Sequence, residues 1–573
     1  MTDPIHAHLE FLYGATAAPR LASRLETLMA SYQSQIPASL QSANLAGLSE
    51  RDAVLITYAD QVREEGAAPL LTLAGFLERH VANLLSAVHL LPFYPWSSDD
   101  GFAVKDYLAV EPDYGTWNDI ASIGRSFELM FDAVFNHLSA QSLWFDRFRQ
   151  GDPAFANFFV TVRGHPDLSA VVRPRALPLL TEFDTEYGPQ QVWTTFSADQ
   201  VDLDVRHPDT LLALLEVLLF YVSCGARFIR LDAIAYLWKE IGTPCIHLPQ
   251  THRIIQLMRS ILDRVAPRSL LITETNVPHA DNLSYFGRGG DEAHLVYNFA
   301  LPPLVVHAFR TGDASFLSRW AAELRVPSPD VTFFNFLASH DGIGLNPVRG
   351  ILPPEAIEEL VRGTLLRGGL ISWKHNSDGS RAPYEMNINY LDALADPDRT
   401  ETPGELARRL LTAHAILAAL PGIPAIYFHS LFGSRGDRPA ADSTGIPRRI
   451  NRERFPLERL EAELATPGTL RALVFAGLGE LLSVRRADPA FHPAASASIL
   501  ELDPRLFAIR RQAPNDRSVL CLHNVSDQAI DLPTGLAAGS IRYAAGATRL
   551  ADTLHLEPHG TVWLGPEHPG SDL

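Results

Sequence analysis

The chain has 573 residues, 46% of them hydrophobic, and a formal net charge of -18. That length and apolar content support a large core and more than one domain, since a single α/β barrel can exceed 250 residues. The acidic balance disfavours nucleic acid and anionic membrane as partners, although a locally basic pocket for a small anion is compatible with it.

Residues 1 to about 50 read as an amphipathic helical extension, with Leu9, Leu12, Leu21, Leu25 and Leu28 spaced along one face. No basic region followed by an apolar run trails Met1, and Leu211 to Val222 is short and interrupted by Glu216. A cytoplasmic protein without a membrane span is therefore expected. Cys224, Cys245 and Cys521 are too few and too scattered for a disulfide framework or a metal cluster, in keeping with a reducing compartment.

From Ala53 onward, eight short apolar stretches alternate with helical segments or long insertions. They are Ala53–Tyr58, Ala87–Leu91, Leu129–Phe135, Phe228–Leu231, Leu270–Thr273, His294–Phe299, Val331–Leu337 and Ile423–Phe428. Eight such strands predict an α/β fold, a (β/α)8 TIM barrel, over residues 51–138 and 206–485. No glycine-rich phosphate fingerprint follows the first strand, which counts against a dinucleotide-binding sheet. The excursion 139–205 is too long for a plain connection and predicts an inserted domain after the third strand; a second excursion, 342–405, follows the seventh. Beyond 485, pieces such as Leu506–Arg510, Ser518–Leu522 and Thr561–Leu564 predict a C-terminal β domain over 486–573.

Barrel active sites lie where the strands end at their C-terminal side. There the chain places Asp132 to His137, Arg230-Leu231-Asp232, Thr273-Glu274, and Ser339-His340-Asp341. Arg230 and Asp232 are two residues apart on one strand and so share a face. On its own, that pair could be barrel filling or the core of a site. Three carboxylates gathered at three strand ends suit glycosidic bond cleavage with retention, which needs an ionised nucleophile and a protonated acid about 5 Å apart. Asp232, kept charged by Arg230, suits the nucleophile, and Glu274 has the reach of the acid. Asp341 suits a group that gains strength as positive charge develops on the sugar, and His137 and His340 are hydroxyl partners.

These segments resemble the signature regions of the alpha-amylase superfamily, glycoside hydrolase family 13, and Gln200-Val201-Asp202-Leu203-Asp204 is similar to its further short motif. The resemblance covers about residues 50 to 480 and implies Asp232 as nucleophile, Glu274 as acid/base and Asp341 as transition-state stabiliser. Ser98-Asp99-Asp100-Gly101-Phe102, Arg230 to Tyr236 with Lys239-Glu240, His340 to Gly344, and Pro447 to Arg452 are similar to its sucrose phosphorylase subfamily. That implies Asp99 and Arg448 around the terminal glucose, Phe102 as an apolar platform, and Tyr236 on the acceptor side. The segments Glu274 to Phe286, Asn376 to Asn387 with Tyr384 and Glu385, and Tyr427 to Arg435 look like the branch that acts on glucosylglycerate.

The resemblance thus implies a retaining glycoside phosphorylase that releases α-glucose 1-phosphate, with a small glucoside and inorganic phosphate as its ligands. Sucrose or glucosylglycerol as substrate, hydrolysis or transglucosylation, and a non-catalytic binding module are the alternatives. Lys374, His375, Arg381, Arg435, Arg438 and Arg449 are the loop cations available to an anionic acceptor, with Arg435 placed among the binding residues. Amylases hold calcium with an asparagine at the place of Asn136; no oxygen-rich loop accompanies it here, so neither metal nor cofactor is expected. A homodimer is the default for a soluble oligomer.

Overall fold

The structure is a computed structural model that describes residues 3–42, 47–175, 177–375, 380–514, 517–533, 535, 539–550 and 552–566. Eight parallel strands close into a barrel: β1 (Val54–Thr57), β2 (Ala87–Leu90), β3 (Glu128–Ala133), β4 (Ala226–Leu231), β5 (Leu270–Thr273), β6 (Leu295–Tyr297), β7 (Thr332–Phe336) and β8 (Ile423–Tyr427). They follow one another around the barrel in chain order, and β8 pairs with β1 to close it. Each lies on its expected stretch, although β3 and β4 begin earlier, at Glu128 and Ala226. The strands are buried on both faces, as expected where an outer ring of helices covers the sheet, and this explains why they read as continuous apolar runs.

Two N-terminal helices, Pro4–Tyr13 and Ala18–Gln33, lie against the outer helices Pro249–Val265 and Pro208–Ser223. Their buried residues, among them Leu9, Leu21 and Leu25, join the same apolar core as the barrel. The Tyr13 hydroxyl donates to the Val205 carbonyl at 2.7 Å, fixing the chain where it re-enters the barrel.

Between β3 and β4 the chain forms a two-stranded ribbon, His137–Ser139 with Gln200–Asp202, and a three-stranded antiparallel sheet. That sheet packs on its own apolar cluster, which includes Val160, Leu179 and Trp193. After β7, the strands Ile343–Gly344, Leu370–His375 and Arg381–Asn387 form a second small sheet. The C-terminal six-stranded antiparallel sheet begins at Ser496, and Thr561–Leu564 is the end of a longer strand, Thr553–Gly565. Two buried arginines stitch this sheet and the preceding helix to the barrel. Arg485 donates to the carbonyls of Glu50, Asp52, Ala418 and Gly422, and Arg511 to that of Ala419. Among the described residues, no helix is long and apolar enough to cross a membrane.

Candidate active site

The site is built outward from Arg230. Its side chain points into the barrel from the end of β4 and is 2% exposed. A guanidinium so far from water needs anionic partners, and it has them: Asp132 inside β3, and Asp232 just past β4, whose Oδ1 lies 2.8 Å from Nη1. His89 on β2 completes the Asp132 side, with Nε2 2.7 Å from Asp132 Oδ2. The guanidinium also lies over two rings, Phe102 at 5.6 Å and Tyr297 at 5.5 Å. Glu274, one residue past β5, places Oε2 3.8 Å from Arg230 Nη2.

Asp341 follows β7. Its Oδ1 lies 2.6 Å from Arg448 Nη1 and 3.4 Å from His340 Nε2. The same Arg448 grips Glu385 through two nitrogens, at 2.6 and 3.2 Å, so it bridges two carboxylates across the pocket. His340 stacks on Phe102, ring centroids 4.6 Å apart, which fixes the apolar platform.

Burial pushes up both Asp232 and Glu274; Arg230 opposes the rise in each, and neighbouring carboxylates add to it. Two carboxylates that titrate together hold one proton between them. The direct ion pair at 2.8 Å keeps Asp232 charged and leaves the proton on Glu274, whose nearest guanidinium nitrogen is 3.8 Å away. Burial acts upward on Asp341 too, but the guanidiniums of Arg448 and Arg452 outweigh it and hold that carboxyl well below the usual range. Burial keeps His340 neutral, its pKa lowered to about 3 against the pull of Asp341. One protonated carboxyl beside two ionised ones is the division of labour that retaining glycoside cleavage requires.

The loop after β2 supplies Asp99 and Asp100. Both are left-handed, with φ of 53° and 51°. Gly101 continues the turn at φ 112°, where a Cβ would lie 2.6 Å from the Pro92 carbonyl oxygen. Asp100 carries the direct pairs, to Arg449 at 2.5 Å and Arg452 at 2.6 Å. Asp99 is thereby left to line the pocket, with Arg175 and Arg452 each 3.8 Å away. Burial would raise its pKa, but Arg175, Arg448 and Arg452 hold it low.

His137 sits in a fixed frame: its Nε2 donates to the Phe102 carbonyl at 2.9 Å, and Gln200 Nε2 donates to the same carbonyl at 3.3 Å. Next to it, the Lys239 ammonium lies 2.6 Å from Asn136 Oδ1 and 2.6 Å from Asp202 Oδ2. The oxygens that would have to meet a calcium ion at Asn136 are therefore already held by an internal cation, and a dication there would face that ammonium. These residues do not fit calcium.

The pocket is lined by Asp232, Glu274 and Asp341 together with Asp99, Phe102, His137, Tyr236, His340, Tyr384, Glu385 and Arg448. Arg230 sits beneath it. Arg435 is a correction: it lies outside, 55% exposed, paired with Asp392 and lining a separate surface cleft. The other loop cations are engaged elsewhere. Lys374 donates to Asn346, Arg438 pairs with Asp442 and Arg449 with Asp100. Arg381 does not line the pocket, and the side chain of His375 and residues 376–379 lie outside the described residues.

A further cation at the pocket comes from the inserted domain instead. Arg175 lines the pocket with a side chain 34% exposed. Phe196 and Asn276 line it too, and Asn276 Oδ1 is buried without a hydrogen-bond partner among the described residues. The Arg173-Pro174-Arg175 stretch was the signal available in the sequence, but nothing in it says which way the insert folds back. Asn276 stood in the sequence only as part of a motif two residues past the acid.

Residues 83–340 match the family of the alpha-amylase catalytic domain. The glucosylglycerate phosphorylase of Allomeiothermus silvanus is 51% identical over 92% of this chain and 93% of its own length. That of Escherichia coli K12 is 46% identical over 92% and 93%. The crystal structure of sucrose 6F-phosphate phosphorylase from Thermoanaerobacter thermosaccharolyticum superposes with a TM-score of 0.73 at 25% identity, covering 84% of this chain and 95% of that one. Barrel, carboxylates and relatives together identify the chain as a member of the glucosylglycerate phosphorylase family, within the alpha-amylase superfamily.

Proposed function

We propose that this protein is a retaining glycoside phosphorylase that reversibly converts 2-O-α-glucosylglycerate and phosphate into α-glucose 1-phosphate and glycerate. The observation that carries the reading is the pairing of an Arg230-bound Asp232 with a Glu274 whose pKa burial raises, at one pocket that also holds Arg175. In the first step a carboxylate oxygen of Asp232 attacks the anomeric carbon. The bond to the glycerate oxygen breaks, and the Glu274 proton goes to that oxygen. In the second, a phosphate oxygen attacks the same carbon, Asp232 leaves, and the phosphate proton returns to Glu274. Two inversions give net retention.

Asp341 and Asp99, both held ionised, suit a glucosyl unit gaining positive charge, and Phe102 offers an apolar face to the ring. Glycerate and phosphate are both anions, so a half-exposed guanidinium such as Arg175 suits either. The identity of the relatives supports glycerate over fructose or glycerol as acceptor. The site needs no metal or cofactor for these steps. A cytoplasmic location, and a homodimer as the common default for a soluble oligomer, complete the proposal.

Glucose 1-phosphate release from glucosylglycerate, sucrose and glucosylglycerol, each with and without phosphate, tests the reading. Phosphate-dependent release from glucosylglycerate alone is expected. Release from sucrose but not glucosylglycerate would refute the acceptor, and phosphate-independent glucose release would refute phosphorolysis.

A further inference from the structure

We propose that the backbone N–H of Ala233 is a positioning group for the acid/base: it fixes Oε2 of Glu274 and leaves Oε1 to exchange the proton with the leaving and incoming oxygens. The inference rests on the reaction read above and adds a group that reading does not require.

Ala233 directly follows the nucleophile and is left-handed, with φ 48° and ψ 29°. A residue with a Cβ is disfavoured there, and alanine lacks the short polar side chain by which asparagine or aspartate compensates. Its N–H donates to Glu274 Oε2 at 2.9 Å. The strand register explains why the turn is needed. Strands β4 and β5 end with the Glu274 N–H donating to the Leu231 carbonyl at 3.2 Å. Continued in extended form, the ladder would carry the Ala233 N–H to the backbone carbonyl of Glu274. The left-handed turn redirects it to the side chain.

Arg230 Nη2, at 3.8 Å, approaches the same oxygen. Both fixed partners thus fall on Oε2, and one carboxyl oxygen is held while the other is free to work. The remaining charged or titratable groups around Glu274 are Asp232 beside Arg230, Asp341 after β7, Arg448 from the loop after β8, and the hydroxyls of Tyr236, Tyr297 and Tyr384. Among them Ala233 contributes the direct hydrogen bond, and a donor on a carboxylate favours its ionised form. The turn therefore also keeps Glu274 able to give up its proton.

Replacing the Ala233 amide with an ester, by incorporating L-lactate at that position, removes the N–H and keeps the side chain. The upper limb of the kcat/KM pH profile for glucosylglycerate should move up by about one pH unit, the size expected for one bond to a charged group. The rate on glucosylglycerate should fall about tenfold, and glucosylation by α-glucosyl fluoride, whose leaving group needs no proton, much less. Ala233→Val, which disfavours the left-handed turn, should shift the limb in the same direction, whereas Ala233→Gly retains both turn and N–H and should keep the limb in place whatever its rate. An ester variant with an unmoved limb, or one equally impaired on both donors, would overturn the proposal. Should the unmodified protein cleave sucrose and not glucosylglycerate, the substrate reading fails, and the same pH comparison on sucrose still decides the role of the N–H.

Discussion

The two ends of the pocket are built differently. At the glucose end almost every charge is matched at short range: Arg230 with Asp132 and Asp232, Arg448 with Asp341 and Glu385, Arg452 with Asp100. On the side of the inserted domain, Arg175 comes only within 3.8 Å of Asp99, and Asn276 Oδ1, just past β5, has no hydrogen-bond partner among the described residues. Buried charges must be paired where they form, so the glucose end is rigid before substrate arrives. Looser groups, Arg175 on the insert and Asn276 past β5, leave room for a ligand to complete them.

That contrast can be broken or sharpened by substitution. Asp232→Ala should reduce phosphorolysis by at least about 10⁴-fold, because it removes the nucleophile itself. Circular dichroism and an unshifted melting transition should report an intact fold, and surviving activity would refute the whole assignment. Arg230→Ala leaves two buried carboxylates without their cation. It should cost about 3–5 kcal/mol of stability, seen in a denaturant melt, as well as most of the activity.

The pH profile probes the same end without mutation. Asp232 must be ionised and Glu274 protonated, so kcat/KM should fall as pH drops through the pKa of the first and as it rises through that of the second. Because burial raises Glu274, the upper limb should stand well above an ordinary glutamate value; an upper limb near 4.5 would contradict its burial as the cause. At the acceptor end, Arg175→Ala should raise KM for phosphate and for glycerate about tenfold, with less effect on hydrolysis of a glucosyl donor. Equal losses on charged and neutral acceptors would place Arg175 in support of the loop rather than in the site. Arg435→Ala should change the kinetics by less than about twofold, since a surface ion pair such as its contact with Asp392 contributes little.

The eight strands were legible because a sheet buried on both faces leaves unbroken apolar runs, and Asp232, Glu274 and Asp341 because the chemistry of a barrel sits where those runs stop. Arg230 and Asp232 were readable as a pair from their spacing alone. Arg435 was misplaced for a reason of the same kind in reverse: a basic residue after the last strand is near the site in sequence, but Asp392 draws it outward. Arg175 was invisible because it reaches the pocket only after the insert folds back over the barrel. Lys239, seven residues past the nucleophile, could not be seen to occupy the space between Asn136 and Asp202.

By itself, then, the sequence determined the barrel, its insert and the carboxylates, because these follow from local periodicity and from where each strand ends. Tertiary structure alone decided which oxygen of Glu274 is held, that Arg175 reaches the pocket and that the Lys239 ammonium lies between Asn136 and Asp202. Those depend on contacts between segments far apart in the chain, such as the Asn136–Lys239 bond, and on a single left-handed alanine that no spacing rule predicts.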